Sequence, residues 1–287
     1  MKNIKRLKNF YLSLTVKNDL ENFPNSCFIL GNEFGTKGRL LLYTSDVPFF
    51  FNDNVNEELK DSAKKAMKNI SVKSAIEFLE ITKSTKGTNY IEIIKGLEFL
   101  SNVGMQHNGN KLWVAEGSAY PVGQIMHELM HALGFYHEHS RPDRDEYLDV
   151  NNEAAKIANY KKRSESNSVC YSNTLDFHSI MIYRENEKMI LKEGINFKIG
   201  QRIKLSDGDI NALNNLYPPK VTLLSRIQAL DNDILIVKER LRNLPVNNNN
   251  EERLRLKKEH RELLQRKTNC NKKLLNYLSE RSGPIFA

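Results

Sequence analysis

The segment that most constrains this chain is His127-Glu128-Leu129-Met130-His131, continuing through Ala132-Leu133-Gly134-Phe135-Tyr136 to His137. A spacing of four residues puts His127 and His131 on one helix face, one turn apart, where both imidazoles reach a single cation. Glu128, one position on, is placed to contact a water at that cation rather than the cation itself. Gly134 lets the chain leave the helix sharply, because a residue without Cβ enters positive φ at little cost. His137 then returns as a third ligand. Three histidines leave one tetrahedral position open, which is the arrangement of a catalytic zinc site and not a structural one. The segment therefore predicts one Zn2+ per chain, held by His127, His131 and His137, with Glu128 as general base. Chance repetition of surface histidines would not place Glu128 and Gly134 in register with them.

A second element lies downstream. Ser179-Ile180-Met181-Ile182-Tyr183 offers a turn in which Met181 forms a soft floor beneath the metal. Taken together, HELMHALGFYHEHSRPDRDEY (127–147), SIMIY (179–183) and IGQRIKLSDGDINALNNLY (199–217) resemble the astacin family of metzincin metallopeptidases. The resemblance covers about residues 41–217. It implies an α+β, metzincin-like two-lobed zinc peptidase, active on protein or peptide substrates. It also implies that Tyr183 is a further, displaceable zinc ligand that swings away to stabilise the oxyanion, so that Tyr183 joins Glu128 in catalysis. Glu138 is implied to meet the N-terminus of the processed chain. Arg141, Asp143, Arg144 and Asp145 match the family's Arg-x-Asp-Arg-Asp run and read as a structural ion-pair network. Ile182 stands where the family has His, a departure that removes no zinc ligand. The family's two disulfides are also missing, since its cysteine positions fall near Ala75, Pro218 and Ala119.

Activation is the part with alternatives. Family zymogens block zinc with a prosegment Asp, and the nearest string here, Ile29-Leu30-Gly31-Asn32, offers Asn instead. Cys27 is a candidate zymogen blocker, since a thiolate binds zinc well; a buried structural cysteine is the other reading of it. The string ILGNEF also resembles the start of a mature family domain, which makes residues 1 to about 26 the prosegment.

The chain divides into a prosegment-like region (1–40), a catalytic domain (41–217) and a tail (220–287). Within the middle region NEELKDSAKKAMKNI reads as a helix burying Leu59, Ala63, Ala66 and Ile70, and LLLYTSDVPFFF, AIEFLEI, NYIEII and KLWVAE as strands. KLWVAE is the expected sheet edge for pairing an extended peptide. After Pro218-Pro219 a heptad seam runs through Leu223, Ile227, Leu230, Ile234, Val237, Leu241 and Leu244. A second passes through Leu256, His260, Leu263, Lys267, Cys270, Leu274 and Tyr277. The PVNNNN loop between them predicts an antiparallel helical hairpin, a coiled-coil tail suited to self-association or partner contact.

The net charge of +8 is concentrated at the ends. Residues 220–287 hold 15 Lys/Arg against 8 Asp/Glu, and residues 1–26 hold 5 against 2. The remaining middle is slightly acidic, so no nucleic-acid partner is expected. No run of residues is apolar and long enough for a transmembrane segment. The N-terminus shows no apolar core of a signal peptide, and three cysteines imply no disulfide framework. The corresponding expectation is a bacterial cytoplasmic protein that is secreted by another route or delivered into a host cell. The competing reading is an inactive zinc-binding interaction module working through its helical tail; an intact Glu128 argues against it, because a binding module needs no general base.

Overall fold

The computed structural model describes residues 26–29, 43, 46–82, 89–106, 109–164, 168–244 and 250–281. Its strands are β1 (Ser26–Ile29), β2 (Val47–Phe51), β3 (Phe78–Glu80), β4 (Ile91–Lys95), β5 (Leu100–Ser101), β6 (Asn110–Val114), β7 (Leu148–Val150), β8 (Ser168–Tyr171) and β9 (Met189–Leu191). Its α-helices are α1 (Glu57–Lys73), α2 (Pro121–Ala132), α3 (Asp207–Leu216), α4 (Pro219–Asn243) and α5 (Asn250–Arg281). Mixed helix and sheet make the chain α+β, as expected. Two units partition it.

One unit comprises residues 40–135, 202–205 and 213–287. Its sheet has the order β3-β2-β4-β6-β5, with β5 antiparallel to β6 and the other pairings parallel. Parallel neighbours need crossovers, and α1 supplies one between β2 and β3. Asn56 caps α1 by accepting from the Leu59 amide at 2.9 Å, and Glu57 and Glu58 complement the positive end of its dipole. The face it buries contains Leu59, Ala63, Ala66 and Ile70, the predicted stripe, together with Ser62 and Met67. The predicted edge is corrected: KLWVAE forms β6, which lies inside the sheet, and the short β5 covers it through Leu100↔Trp113 and Ser101↔Leu112.

In the same unit α4 and α5 pack along the two predicted seams. Leu230, Ile234, Val237, Leu256, Leu263 and Cys270 are buried together, with Ile227, Leu241 and Leu244 at the margins. The hairpin is also fastened to the sheet unit by charge. Buried Arg226 contacts Asp46 at 2.7 Å and donates to the Ala75 carbonyl at 2.6 Å. Arg266 also pairs with Asp46, and Lys273 pairs with Glu77 at 2.5 Å. No described helix is long and apolar enough to cross a membrane.

The other unit comprises residues 1–39, 136–201 and 206–212. It has little regular structure: β1 pairs antiparallel with β8, and β7 with β9. Its core gathers Leu148, Ala154, Tyr160, Leu175, Ile182, Met189 and Ile199. Ile182 therefore fills an apolar core position, which accounts for an aliphatic residue there.

Candidate active site

Helix α2 starts with Pro121 at its first turn and buries nearly every residue from Ile125 to Ala132. Its end is a Schellman turn: Gly134, at φ 108°, donates its amide to the His131 carbonyl (2.8 Å), and the Phe135 amide donates to the Met130 carbonyl (3.0 Å). The glycine thus performs the reversal predicted for it. The His131 carbonyl also accepts from the Gly104 amide at 2.9 Å, and the buried Asn110 side chain donates to the Gly104 carbonyl at 2.8 Å.

His127 and His131 lie edge to face, with ring centroids 4.6 Å apart. The ligand atoms of His127, His131 and His137 all lie within 4.8 Å of one another, and all three residues are buried. His131 Nδ1 is 2.7 Å from the Phe135 carbonyl. A carbonyl only accepts, so Nδ1 carries the proton and Nε2 holds the lone pair a metal needs. Nitrogen ligands at about 2.0–2.1 Å in a tetrahedron sit about 3.4 Å apart, a spacing reached from this cluster by small side-chain rotations. Three buried imidazoles with one tautomer already set therefore fit zinc.

Glu128 is 5% exposed. Burial pushes its carboxyl up to about 8, with Arg202 opposing the shift and Glu98 adding to it. A cation at the neighbouring histidines would draw it back down. Arg202 is held by Gln124 of α2 (3.3 Å), and its carbonyl lies where a Cβ on Gly123 would come within 1.8 Å. Gly123 is thus required for this stretch of chain to approach the helix, a role unmarked in the sequence.

Around His137 the structure builds a stack. His139, fully buried, lies parallel to the His137 ring at 4.9 Å, and the Tyr183 ring packs on both, at 4.3 Å from His137 and 4.5 Å from His139. His139 Nε2 donates to the Asn159 carbonyl (2.9 Å), leaving Nδ1 to accept the Tyr183 amide (3.3 Å). Its tautomer is set and both nitrogens are used. His139 is therefore a positioning residue, whereas His178, also near the site in sequence, is exposed.

Met181 is buried, and its carbonyl accepts the Glu138 amide at 3.1 Å, which ties the methionine turn to the residue following His137. Glu138 accepts from Arg141 (3.2 Å) and from the Asp176 amide (3.0 Å); burial pushes its carboxyl up to about 7 against the pull of Arg141. Arg141 forms a two-pronged bond to Asp143 (2.8 and 2.7 Å) and also reaches Ser172. Arg144 pairs with Asp145 (3.2 Å) and donates to the His139 and Tyr160 carbonyls. The four residues thus form two ion pairs, Arg141–Asp143 and Arg144–Asp145, with structural rather than catalytic partners.

A residue the sequence left without a role is Asp209. Buried at the start of α3, it accepts from Ser179 Oγ (2.6 Å) and from the amides of Ile180 (2.8 Å) and Ser206 (2.9 Å). It therefore underpins the methionine turn from below. Three donors favour its charge, yet burial dominates and raises the carboxyl to about 6. Its signal was the Leu205-Ser206-x-x-Asp209 string, recognised as a pattern with no physical partner attached.

Cys27 falls in β1, where its side chain lies outside the described residues. Arg184, which follows the turn, donates to the Gly200 carbonyl at 3.2 Å.

Residues 39–218 match the family model described as Astacin, a family of peptidases. The chain is 28% identical over 182 residues to "Zinc metalloproteinase nas-14" of Caenorhabditis elegans, covering 60% of this chain and 36% of that protein. It is 31% identical over 183 residues to "Meprin A subunit beta" of Rattus norvegicus, covering 60% of this chain and 25% of that protein. The alignments thus span well under half the length of these two relatives. Among solved structures, high choriolytic enzyme 1, a hatching enzyme zinc-protease from Oryzias latipes, is 26% identical; the match covers 60% of this chain and 89% of that one with a TM-score of 0.52.

Proposed function

Because this chain belongs to the astacin family of peptidases, we propose that it is a zinc endopeptidase hydrolysing peptide bonds in protein substrates. The observation that carries this reading is the convergence of three buried histidine ligand atoms within 4.8 Å, one of them already fixed in the metal-binding tautomer. His127, His131 and His137 would hold the zinc. When bound, it supplies a Lewis acid that polarises the scissile carbonyl and acidifies a water.

The chain's own residues do the rest. Glu128, in a dry environment that keeps its affinity for protons high, takes a proton from the attacking water and passes it to the leaving amine. Tyr183, whose ring rests on His137, is assigned the phenol that serves as a displaceable ligand and then as donor to the oxyanion. Met181 and Glu138, joined through their backbone, keep the methionine turn against the third ligand. The β5 edge is the strand available for an extended peptide. Residues 1–40 are assigned to a prosegment and 220–287 to a tail fastened by Arg226 and Lys273. Work outside the producing cytoplasm is part of the proposal; fractionating culture and medium tests it.

The deciding experiment measures metal content together with cleavage of an unfolded protein, with and without a chelator. One zinc per chain with chelator-sensitive cleavage is expected. Absence of bound zinc refutes the assignment.

A further inference from the structure

We propose that the outer face of α5 seats the protein on an anionic phospholipid surface. The seam that packs on α4 uses Leu256, Leu263 and Cys270, on one side of α5. The other side carries a stripe of Leu254, Lys257, Arg261, Leu264, Lys272 and Leu275. At 3.6 residues per turn these six share about 80° of arc along about 32 Å of helix. All six are exposed, the three leucines by 65%, 41% and 66%.

Charge says what can cover this face. The stripe contains no Asp or Glu. The ion pairs of α5 use Arg255, Lys258, Arg266, Lys267 and Lys273 instead. Lys257, Arg261 and Lys272 therefore present their charges outward. The outer residues of α4 differ: Leu235 and Ile236 are comparably exposed, at 56% and 53%, but Asp231 and Glu239 are exposed beside them.

A second copy of the chain does not fit the stripe. Antiparallel stacking that sets Leu254 on Leu275 sets Lys257 on Lys272, and parallel stacking sets each cation on its twin; like charges so opposed repel. A planar surface of negative charge fits it. The leucines enter the boundary between headgroups and acyl chains, while the aliphatic stems of Lys257, Arg261 and Lys272 lie along it and hold their charges at the phosphates. This inference does not rest on the peptidase reading.

The test mixes the full chain with phosphatidylcholine vesicles, with and without phosphatidylserine, and measures co-sedimentation. Binding is expected only with phosphatidylserine, and it should fade as salt screens the charges. Replacing Lys257, Arg261 and Lys272 together by Gln should lower the partition coefficient roughly 100-fold, at about fivefold for each cation. Leu254→Gln with Leu275→Gln should lower it about tenfold. Leu235→Gln with Ile236→Gln, on α4, should leave it unchanged. Circular dichroism checks that each variant keeps its helices. A folded chain that stays in the supernatant with phosphatidylserine vesicles overturns the proposal and assigns the stripe to an acidic protein. Binding that survives loss of the three cations, or that the α4 changes weaken as much as the α5 ones, overturns it too.

Discussion

Replacing Arg226 by methionine tests how the helical tail is held. Methionine keeps most of the apolar stem and deletes the guanidinium, which is 2% exposed. The loss comprises the 2.7 Å ion contact with Asp46, the 2.6 Å bond to the Ala75 carbonyl and the long 3.9 Å contact with Cys270 Sγ. Removing one partner of a buried ion pair costs about 3–5 kcal/mol, because the other charge stays buried. Here Arg266, 35% exposed, still faces Asp46, so the lower end, about 3 kcal/mol, is expected. At about 2–4 °C per kcal/mol for a domain of this size, the melting midpoint should fall by roughly 6–12 °C. Scanning calorimetry on zinc-loaded protein measures it. Arg240→Met is the control, since its partner Glu252 sits at the surface and such pairs contribute at most about 1 kcal/mol. Asp46→Asn combined with Arg226→Met should cost less than the sum of the single changes. A fall of less than about 2 °C for Arg226→Met would show that this buried pair does not fasten α4, and the reasoning would fail.

Other expectations follow from the site. Glu128→Gln should retain one zinc by elemental analysis while peptidase activity drops at least about 100-fold, the low end for loss of a general base; near-parental turnover sinks the mechanism. Tyr183→Phe should lower kcat by about 100-fold with little change in KM, since the phenol acts on the developing oxyanion; a change in KM alone would assign Tyr183 to ground-state binding. Burial raises Asp209 from 3.8 to about 6, so the folded chain binds that proton more tightly than the unfolded one. Its contribution is favourable below about pH 4 and declines by about 3 kcal/mol as pH rises to 6. Across pH 4–7 the metal-free parent should lose about 3 kcal/mol relative to Asp209→Asn, on top of the decline both share from the raised Glu128 and Glu138 carboxyls; parallel curves would contradict it. Gly123→Ala drives a methyl group to 1.8 Å from the Arg202 carbonyl; overpacking against backbone should cost about 2–3 kcal/mol in a denaturant titration, and a neutral result would mean that the two segments separate readily.

Much of this protein was decided locally and could be read from residue order. The His127–His131 spacing fixes a shared helix face because 3.6 residues make a turn, and Gly134 ends that helix because its φ of 108° suits glycine. The heptad seams were legible for the same reason, and the buried set of α4 and α5 follows them. Tertiary structure decided what depends on residues far apart in sequence. Asp209 underpins the methionine turn across 30 positions, and nothing in the string around it states which donors it will meet. His139 became a tautomer-locked support only once Asn159 and Tyr183 were folded beside it. Arg226 looked like one charge among many on a basic tail until packing against Asp46 buried it. The edge strand was misassigned because sheet order depends on which neighbour completes the ladder, and two residues, Leu100 and Ser101, suffice to cover β6. Periodicity and chain direction are local properties that sequence carries by itself; partner identity, register and burial arise only when distant segments share the same space.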